Sequence, residues 1–137
     1  MGKNNAWSFG STHSSFDGFV TIFYFELHEF GSGSPLAGNI RIDVGEHSYT
    51  PEEEFGGPPV FDKDGRHFAI PVWTSNHNQQ LIVVDCLNRR MLYLPRQFRV
   101  LELDDFRDST ISGIDSPVHK PFPFTCQLAD FIEYEKF

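Results

Sequence analysis

The sequence predicts a mainly β fold, an antiparallel β-sandwich or strongly curved sheet with one or two short helical segments. The 137 residues include 15 Phe, 4 Tyr and 2 Trp, and flat or β-branched side chains pack well on pleated sheets. Apolar runs are short and are bounded by Gly, Pro, Asn and Ser, as in strands joined by turns. A chain of this length normally forms one domain with its own core.

The N-terminal residues differ in composition from the rest of the chain. Residues 1–15 are polar and rich in Gly, Ser and Asn, with isolated rings at Trp7 and Phe9. Such a composition predicts a flexible leader, with its two rings docked on the body of the protein. We therefore expect a leader over residues 1–15 and a single β-rich globular domain over residues 16–137.

Two strands and one helical turn are predicted next. The run from Phe19 to Phe30 predicts a first strand, because its aromatic and β-branched density disfavours a helix. Residues 39–44 alternate polar and apolar and predict an antiparallel partner for it. Thr50, Pro51 and the acids that follow are typical of a helix start, but Gly56-Gly57-Pro58-Pro59 limits it to one turn.

Most of the remaining chain predicts strands. Val60-Phe61 predicts a short edge strand. Residues 66–103 predict four consecutive strands, because four β-rich runs are separated by polar turns. Residues 110–114 predict a last short strand. Prolines make residues 118–124 irregular, and the tail from Cys126 to Phe137 predicts either a short amphipathic helix or an edge strand.

The net charge of −8 is unevenly distributed. Residues 1–65 contain three basic and ten acidic residues, whereas residues 66–137 contain eight and nine. An acidic surface repels phosphate backbones, so direct binding of nucleic acid is disfavoured. The acidity serves either solubility alone or attraction of a basic protein partner.

Cysteine use and hydropathy bear on location. No segment reaches the roughly 18 apolar residues of a membrane span, and residues 1–16 lack the apolar core of a secretory signal. A cytoplasmic location is therefore expected. Cys86 and Cys126 are expected to be buried thiols in a reducing compartment, with a disulfide or a reactive pair as the alternative.

No motif predicts catalysis, a metal or a cofactor. Six histidines are present, but none has the spacing of a zinc site. There is no nucleophile elbow and no long glycine-rich phosphate loop. A different function, binding of single-stranded nucleic acid or a small ligand, would use an aromatic and basic surface formed by Trp73, Tyr93, Arg96 and Arg99, although Trp73 also suits the core.

Four segments within residues 66–121 carry a resemblance: RHFAIPVW, QQLIVVD, FRVLELDDF and ISGIDSPVHKP. They resemble immunity proteins of bacterial toxin–immunity systems, including those of contact-dependent growth inhibition. The resemblance implies a small, acidic, cytoplasmic protein without enzymatic activity. Such a protein binds and neutralises a cognate toxin domain, commonly a nuclease. The class shares no common motif, so it assigns no role to individual residues.

The predicted partner-binding residues are acids on loops and strand ends, together with two aromatic anchors. Acids would steer a basic toxin domain towards the protein, and exposed rings beside them are natural hot spots. These residues are Glu46, Glu52, Glu53, Glu54, Phe55, Phe61, Asp62, Asp64, Asp104, Asp105 and Asp108.

Overall fold

A computed structural model describes residues 4–137. This part of the chain forms twelve strands and one 3₁₀ turn, so the predicted mainly β class is confirmed. The strands are β1 Thr12–Ser14, β2 Val20–Glu29, β3 Leu36–Val44, β4 His47–Tyr49, β5 Val60–Phe61, β6 His67–Trp73, β7 Gln79–Asp85, β8 Arg90–Phe98, β9 Leu101–Arg107, β10 Thr110–Asp115, β11 Phe122–Gln127 and β12 Ile132–Lys136. The 3₁₀ turn is Leu128–Asp130.

The strands form three antiparallel sheets stacked as layers. A four-stranded sheet has the order β1-β2-β3-β4, a five-stranded sheet the order β12-β8-β7-β6-β5, and a three-stranded sheet the order β11-β10-β9. The five-stranded sheet lies in the middle, because its strands β6 and β7 are buried on both faces. Continuous apolar sequence is typical of strands covered on both sides.

The side chains of the central sheet point alternately into two hydrophobic cores. The first core joins the central sheet to the four-stranded sheet and includes Ile22, Ile42, Ile70 and Val84. The second core joins the central sheet to the three-stranded sheet and includes Leu81, Val83, Phe106 and Ile111. Successive strand residues point to opposite faces, which is why neighbours such as Val83 and Val84 enter different cores.

The first hairpin forms as predicted, and a strand precedes it. β2 and β3 pair antiparallel with Tyr24 opposite Ile40. The described part of the predicted leader contains β1, which pairs with β2, and Phe9, which is buried. The Phe9 ring packs edge-on against Tyr24 at 5.0 Å between centroids, and burial of this ring holds the segment on the body. Residues 1–3 of that prediction lie outside the described residues.

The helical turn predicted after Thr50 is wrong. Phe55 instead forms bridges with both Gly38 and Val72, and its N–H donates to the Gly38 carbonyl at 2.7 Å. The Trp73 N–H donates to the Glu54 carbonyl at 2.9 Å. These bonds keep residues 54–56 extended between β3 and β6. Pairing with two sheets therefore outweighs the local preference for a helical turn.

The four predicted strands form, but they do not make one meander. β6, β7 and β8 are consecutive neighbours, whereas β9 leaves the central sheet and pairs with β10. The free side of β8 pairs with β12 instead. Gln79 links the start of β7 to the start of β9, because its buried Oε1 accepts the Leu101 N–H at 2.6 Å.

The C-terminal third corrects one prediction and decides another. The segment expected to be irregular contains the start of β11, and Pro123 lies in it. Since β11 is an edge strand, proline can be accommodated there without losing a ladder bond to a second neighbour. The tail forms β12, an edge strand of the central sheet, so the edge-strand alternative is correct.

Both cysteines are buried free thiols, as predicted. Cys86 belongs to the first core and Cys126 to the second, so the central sheet separates them. Burial raises the pKa of Cys86 to about 12 and that of Cys126 to about 11. The described residues contain no helix with the length and apolarity needed to traverse a membrane.

Candidate partner-binding cleft

A concave surface of about 330 Å³ lies on the central sheet. Its floor is a row of side chains from four adjacent strands, and Val72 and Ile82 on that row belong to the first core. In the register, Val72 lies opposite Gln80 and Ile82 lies opposite Tyr93. The floor consists of Val72, Gln80, Ile82, Tyr93 and Tyr134.

Three further residues form the rim. Trp73 and Thr74 line the cleft where β6 ends, and Glu53 lines it from the segment before Phe55. We call this surface the acid–aromatic cleft, because it combines three rings, Trp73, Tyr93 and Tyr134, with one carboxylate. No residue of the four-stranded sheet belongs to the lining found among the described residues.

Packing fixes the rings of the acid–aromatic cleft. The Trp73 Nε1–H donates to the Leu36 carbonyl at 3.1 Å, and the Phe30 ring packs edge-on against Trp73 at 4.8 Å. Tyr134 packs edge-on against Tyr93 at 5.8 Å. Trp73 is half-buried and outside both cores, so its ring is available from the cleft.

The backbone that carries Glu53 is held at several points. Asn39 Nδ2 donates to the carbonyls of Glu52 and Glu53 at 3.2 and 3.0 Å. The Glu53 side chain is half-buried, and within the described residues its carboxylate makes no hydrogen bond or ion pair. Burial, and after it the charge of Glu53, raises the pKa of Tyr134 well above its usual value.

Most polar groups of the cleft already have partners within the protein. Gln80 Nε2 donates to the Leu94 carbonyl at 3.2 Å, and Thr74 Oγ1 donates to the Asn78 carbonyl at 3.1 Å. The Tyr134 hydroxyl donates to Met91 Sδ at 3.8 Å. The cleft therefore offers a ligand ring faces and one anionic acceptor, rather than a set of convergent donors.

The eleven predicted contact residues have different surroundings. Glu54 lies 3.3 Å from His28, and Asp105 lies 3.4 Å from Arg107. The remaining acids apart from Asp62 have carboxylates without an ion pair or side-chain hydrogen bond among residues 4–137. They are Glu46, Glu52, Glu53, Asp64, Asp104 and Asp108.

Asp62 is a structural residue rather than a free charge. Its Oδ1 accepts the N–H groups of Arg66 and His67 at 3.0 and 3.2 Å. Its Oδ2 lies 3.0 Å from His67 Nδ1. These bonds close the turn between β5 and β6. They also use the acceptor capacity that a partner would need.

The two predicted aromatic anchors are in different environments. Phe55 is 0% exposed, so its prediction as an exposed contact residue is wrong. Its backbone bridges to Gly38 and Val72 place the ring in the first core. Phe61 is half-buried, and it lines a groove with Asp105 and Asp108.

The predicted acids at positions 104, 105 and 108 do not form one patch. Asp105 and Asp108 share the Phe61 groove with Lys63 and Arg107, whereas Asp104 lines a groove with Glu102 and Phe124. The register of β9 and β10 shifts at this point, so that Asp105 lies opposite Ser112 and Leu103 opposite Gly113. This bulge and the alternation of strand side chains separate Asp104 from Asp105.

Glu46 is also apart from residues 52–54. It follows Gly45 in the turn between β3 and β4, and it lines a shallow groove with Leu87 and Arg89. The structure therefore distributes the predicted acids over several surfaces. Among the aromatic clefts of the described chain, Glu53 is the predicted acid that lines the one formed by Trp73, Tyr93 and Tyr134.

The alternative aromatic and basic surface is not assembled. The Arg96 guanidinium lies over the Phe98 ring at 4.7 Å, and Phe98 belongs to the second core. Tyr93 packs against the first core, on the opposite face of the central sheet. Neither Arg96 nor Arg99 lines the acid–aromatic cleft.

Two of the histidines, His67 and His77, contact other side chains. His67 lies between Asp62 and Asp85, at 3.0 and 3.8 Å, and the His77 ring stacks on Phe30 at 4.4 Å. Within residues 4–137, no group of three or more His, Cys, Asp or Glu side chains converges in a way that would hold a metal ion.

Comparison of the chain with protein-family models, with curated proteins and with solved structures yields no match. The site is therefore defined by its own residues. The sequence does not predict Tyr134 as a site residue, because the tail suits either a helix or a strand. The alternation of Ile132 and Tyr134 with charged residues in IEYEK is the signal that favours a strand there.

Proposed function

We propose that this protein is a non-enzymatic binding protein that neutralises a basic protein partner, as bacterial immunity proteins do. The observation that carries the proposal is the set of carboxylates with no internal partner, together with the net charge of −8. One of these carboxylates, that of Glu53, lies beside three rings in a concave surface. Charge and aromatic anchors in one place are typical of tight inhibitor interfaces.

The distribution of ion pairs supports this proposal. Arg41 pairs with Asp43 at 3.0 Å, and Arg90 pairs with Asp85 at 2.9 Å. Arg66 pairs with Asp17. Each of these pairs neutralises one arginine and one acid, so the excess of acids lies with the carboxylates that have no such partner. A negative surface of this kind accelerates encounter with a basic partner, and salt weakens the effect.

The rigidity of the scaffold also favours binding. Residues 54–56 bridge two sheets, and Asn39 holds the carbonyls of the two preceding residues. A segment fixed before binding loses less conformational entropy when a partner docks. The acids at positions 52–54 are therefore presented in a largely preorganised arrangement.

The partner that we propose is a toxin domain of nuclease type, met in the cytoplasm. Nucleases bind a polyanionic substrate and therefore carry basic surfaces. An acidic inhibitor that covers such a surface competes with the substrate. The resemblance of residues 66–121 to immunity proteins gives the same class of partner, and the charge of this chain complements it.

Affinity capture followed by a neutralisation assay tests the proposal. Tagged protein is incubated with a lysate of the source organism, washed at moderate salt, and its partners are identified by mass spectrometry. We expect one basic protein at equal stoichiometry, whose toxic activity is abolished when one equivalent of this protein is added. Capture of no stoichiometric partner, or full activity of the partner in the complex, would contradict the proposal.

A further inference from the structure

We propose that the acid–aromatic cleft is the anchor pocket for one cationic side chain, an arginine or a lysine, of the basic partner. This inference rests on the proposed function and specifies the contact that it uses. It follows from three properties of the cleft, which are its ring faces, its carboxylate without an internal partner and its lack of a converging set of free donors.

The rings supply the first property. Trp73, Tyr93 and Tyr134 line one concave surface, and the hydrogen bond of Trp73 to Leu36 holds the indole in place. The face of an aromatic ring carries negative electrostatic potential and attracts a guanidinium or an ammonium group. The same rings pack against the methylene groups of an arginine or lysine side chain.

The carboxylate supplies the second property. Glu53 is half-buried and has no cationic partner among the residues that the structure describes. Elsewhere the protein satisfies this geometry internally, since Arg41 pairs with Asp43 and also covers the Phe23 ring at 4.5 Å. At Glu53 the rings and the acid line one surface, and we assign the place of the cation to a side chain of the partner.

The third property disfavours other ligands. Anions and sugars need several donors that converge on them, but the donors of Trp73, Thr74 and Gln80 are bonded to backbone carbonyls. The Tyr93 hydroxyl, which has no partner among the described residues, does not by itself make such a set. A volume of about 330 Å³ lies at the lower end of small-molecule pockets, which span roughly 300–1,000 Å³. It suits a single side chain better than a large cofactor.

Titration with side-chain fragments tests the cleft without the partner. The probes are n-butylguanidinium and n-butylammonium, with n-butylurea as the neutral control, and NMR follows the Trp73 indole and the Tyr134 ring. We expect the two cations to bind at this cleft and the urea to bind at least about fivefold more weakly. Equal binding of the urea would show an apolar cleft without selectivity for charge, which would overturn the inference.

Two matched pairs of variants locate the effect. Glu53→Gln removes the carboxylate of the cleft, and Glu52→Gln removes an adjacent exposed one outside it. We expect about a fivefold to tenfold loss of n-butylguanidinium affinity for E53Q and less than about twofold for E52Q. Tyr134→Phe keeps the ring and should bind like the wild type, whereas Tyr134→Leu should weaken binding. Equal effects within either pair would contradict the inference.

The captured partner provides the last comparison. We expect the partner to displace n-butylguanidinium from the cleft, and E53Q to weaken partner binding more than E52Q does. If the fragment and the partner bind at the same time, the cleft does not hold a side chain of the partner. In that case the inference fails while neutralisation by another surface stands, so failure of the inference is distinguished from failure of the proposed function.

Discussion

Two acidic segments, residues 52–54 and residues 104–108, carry three carboxylates each but have different electrostatic surroundings. Arg107 lies within the second segment and contacts Asp105, and Lys63 lines the same groove. Among the described residues, the carboxylates of the first segment have one ion-pair partner, His28, which lies 3.3 Å from Glu54. It also borders the acid–aromatic cleft. Equal acidity in the sequence therefore gives unequal potential at the surface.

The comparison distinguishes two uses of a carboxylate. Carboxylates with internal partners, such as Asp62 and Asp85, hold turns and strands together. Carboxylates without such partners, such as Glu52 and Glu53, contribute little to the fold. They remain available to a second molecule, and we assign the binding charge to them.

The largest expected effect concerns the aromatic residue beside each acidic segment. Phe55→Ala removes a fully buried ring and should lower the free energy of unfolding by about 3–5 kcal/mol. Phe61→Ala removes a half-buried ring and should cost about 1–2 kcal/mol. Urea denaturation measures both values. Equal losses of unfolding free energy would show that Phe55 does not stabilise the fold more than Phe61 does.

A smaller effect is expected from the hydroxyl that anchors the end of the first segment. The buried Tyr24 hydroxyl donates to the Gly56 carbonyl at 2.7 Å, so Tyr24→Phe should cost about 0.5–1.5 kcal/mol. Tyr93→Phe is the matched control, since the Tyr93 hydroxyl makes no hydrogen bond within the described residues. Its stability should equal that of the wild type. If Tyr24→Phe were as stable as the wild type, the Tyr24 hydroxyl would not anchor this segment.

The smallest expected effect concerns Asp17, whose carboxylate has an ion-pair partner and hydrogen bonds within the protein. The Arg66 guanidinium, followed by the Phe19 N–H and the Ser15 hydroxyl, lowers the pKa of Asp17 from 3.8 to about 2. Asp17 therefore stabilises the fold fully above about pH 4, where both states are ionised. That contribution is lost as the pH falls towards about 2, because the unfolded chain takes up its proton first.

Denaturation curves between pH 2 and pH 5 check this pH dependence. Wild-type stability should decrease with falling pH more steeply than the stability of Asp17→Asn. Arg66→Gln should give an intermediate slope, because it removes the largest of the three causes and leaves the others. Identical slopes for all three proteins would show that the pKa of Asp17 is not lowered in solution.

Strand positions were predictable because they depend on local periodicity. The β-rich run that forms β7 predicted a strand, and the alternation in IRIDV predicted a strand with one buried face. The path of β9 was not predictable, because it depends on a bond between Gln79 and Leu101, which are 22 positions apart in the sequence. A local pattern identifies a strand, but it does not identify the sheet that the strand joins.

The candidate site was predictable only in its charge. Thr50 and Pro51 predicted a helical turn from local preferences, but pairing of Phe55 with β3 and β6 outweighed them. For the same reason a ring expected at the surface is buried. The acid–aromatic cleft combines Glu53, which precedes the Phe55 bridge, with Tyr134, which lies on the edge strand β12 of the central sheet. Only tertiary packing brings these two residues together.

The most direct test of the central claim is the association rate of the captured partner with two charge variants, measured by stopped flow at low and moderate salt. One variant is E52Q/E53Q/E54Q, and the other is D104N/D105N/D108N; each removes three charges. We predict that the first slows association by roughly fivefold or more and flattens its salt dependence. The second should stay within about twofold of the wild type, because its charges are partly neutralised. Equal slowing by both variants, or a larger effect of the second, would contradict the account.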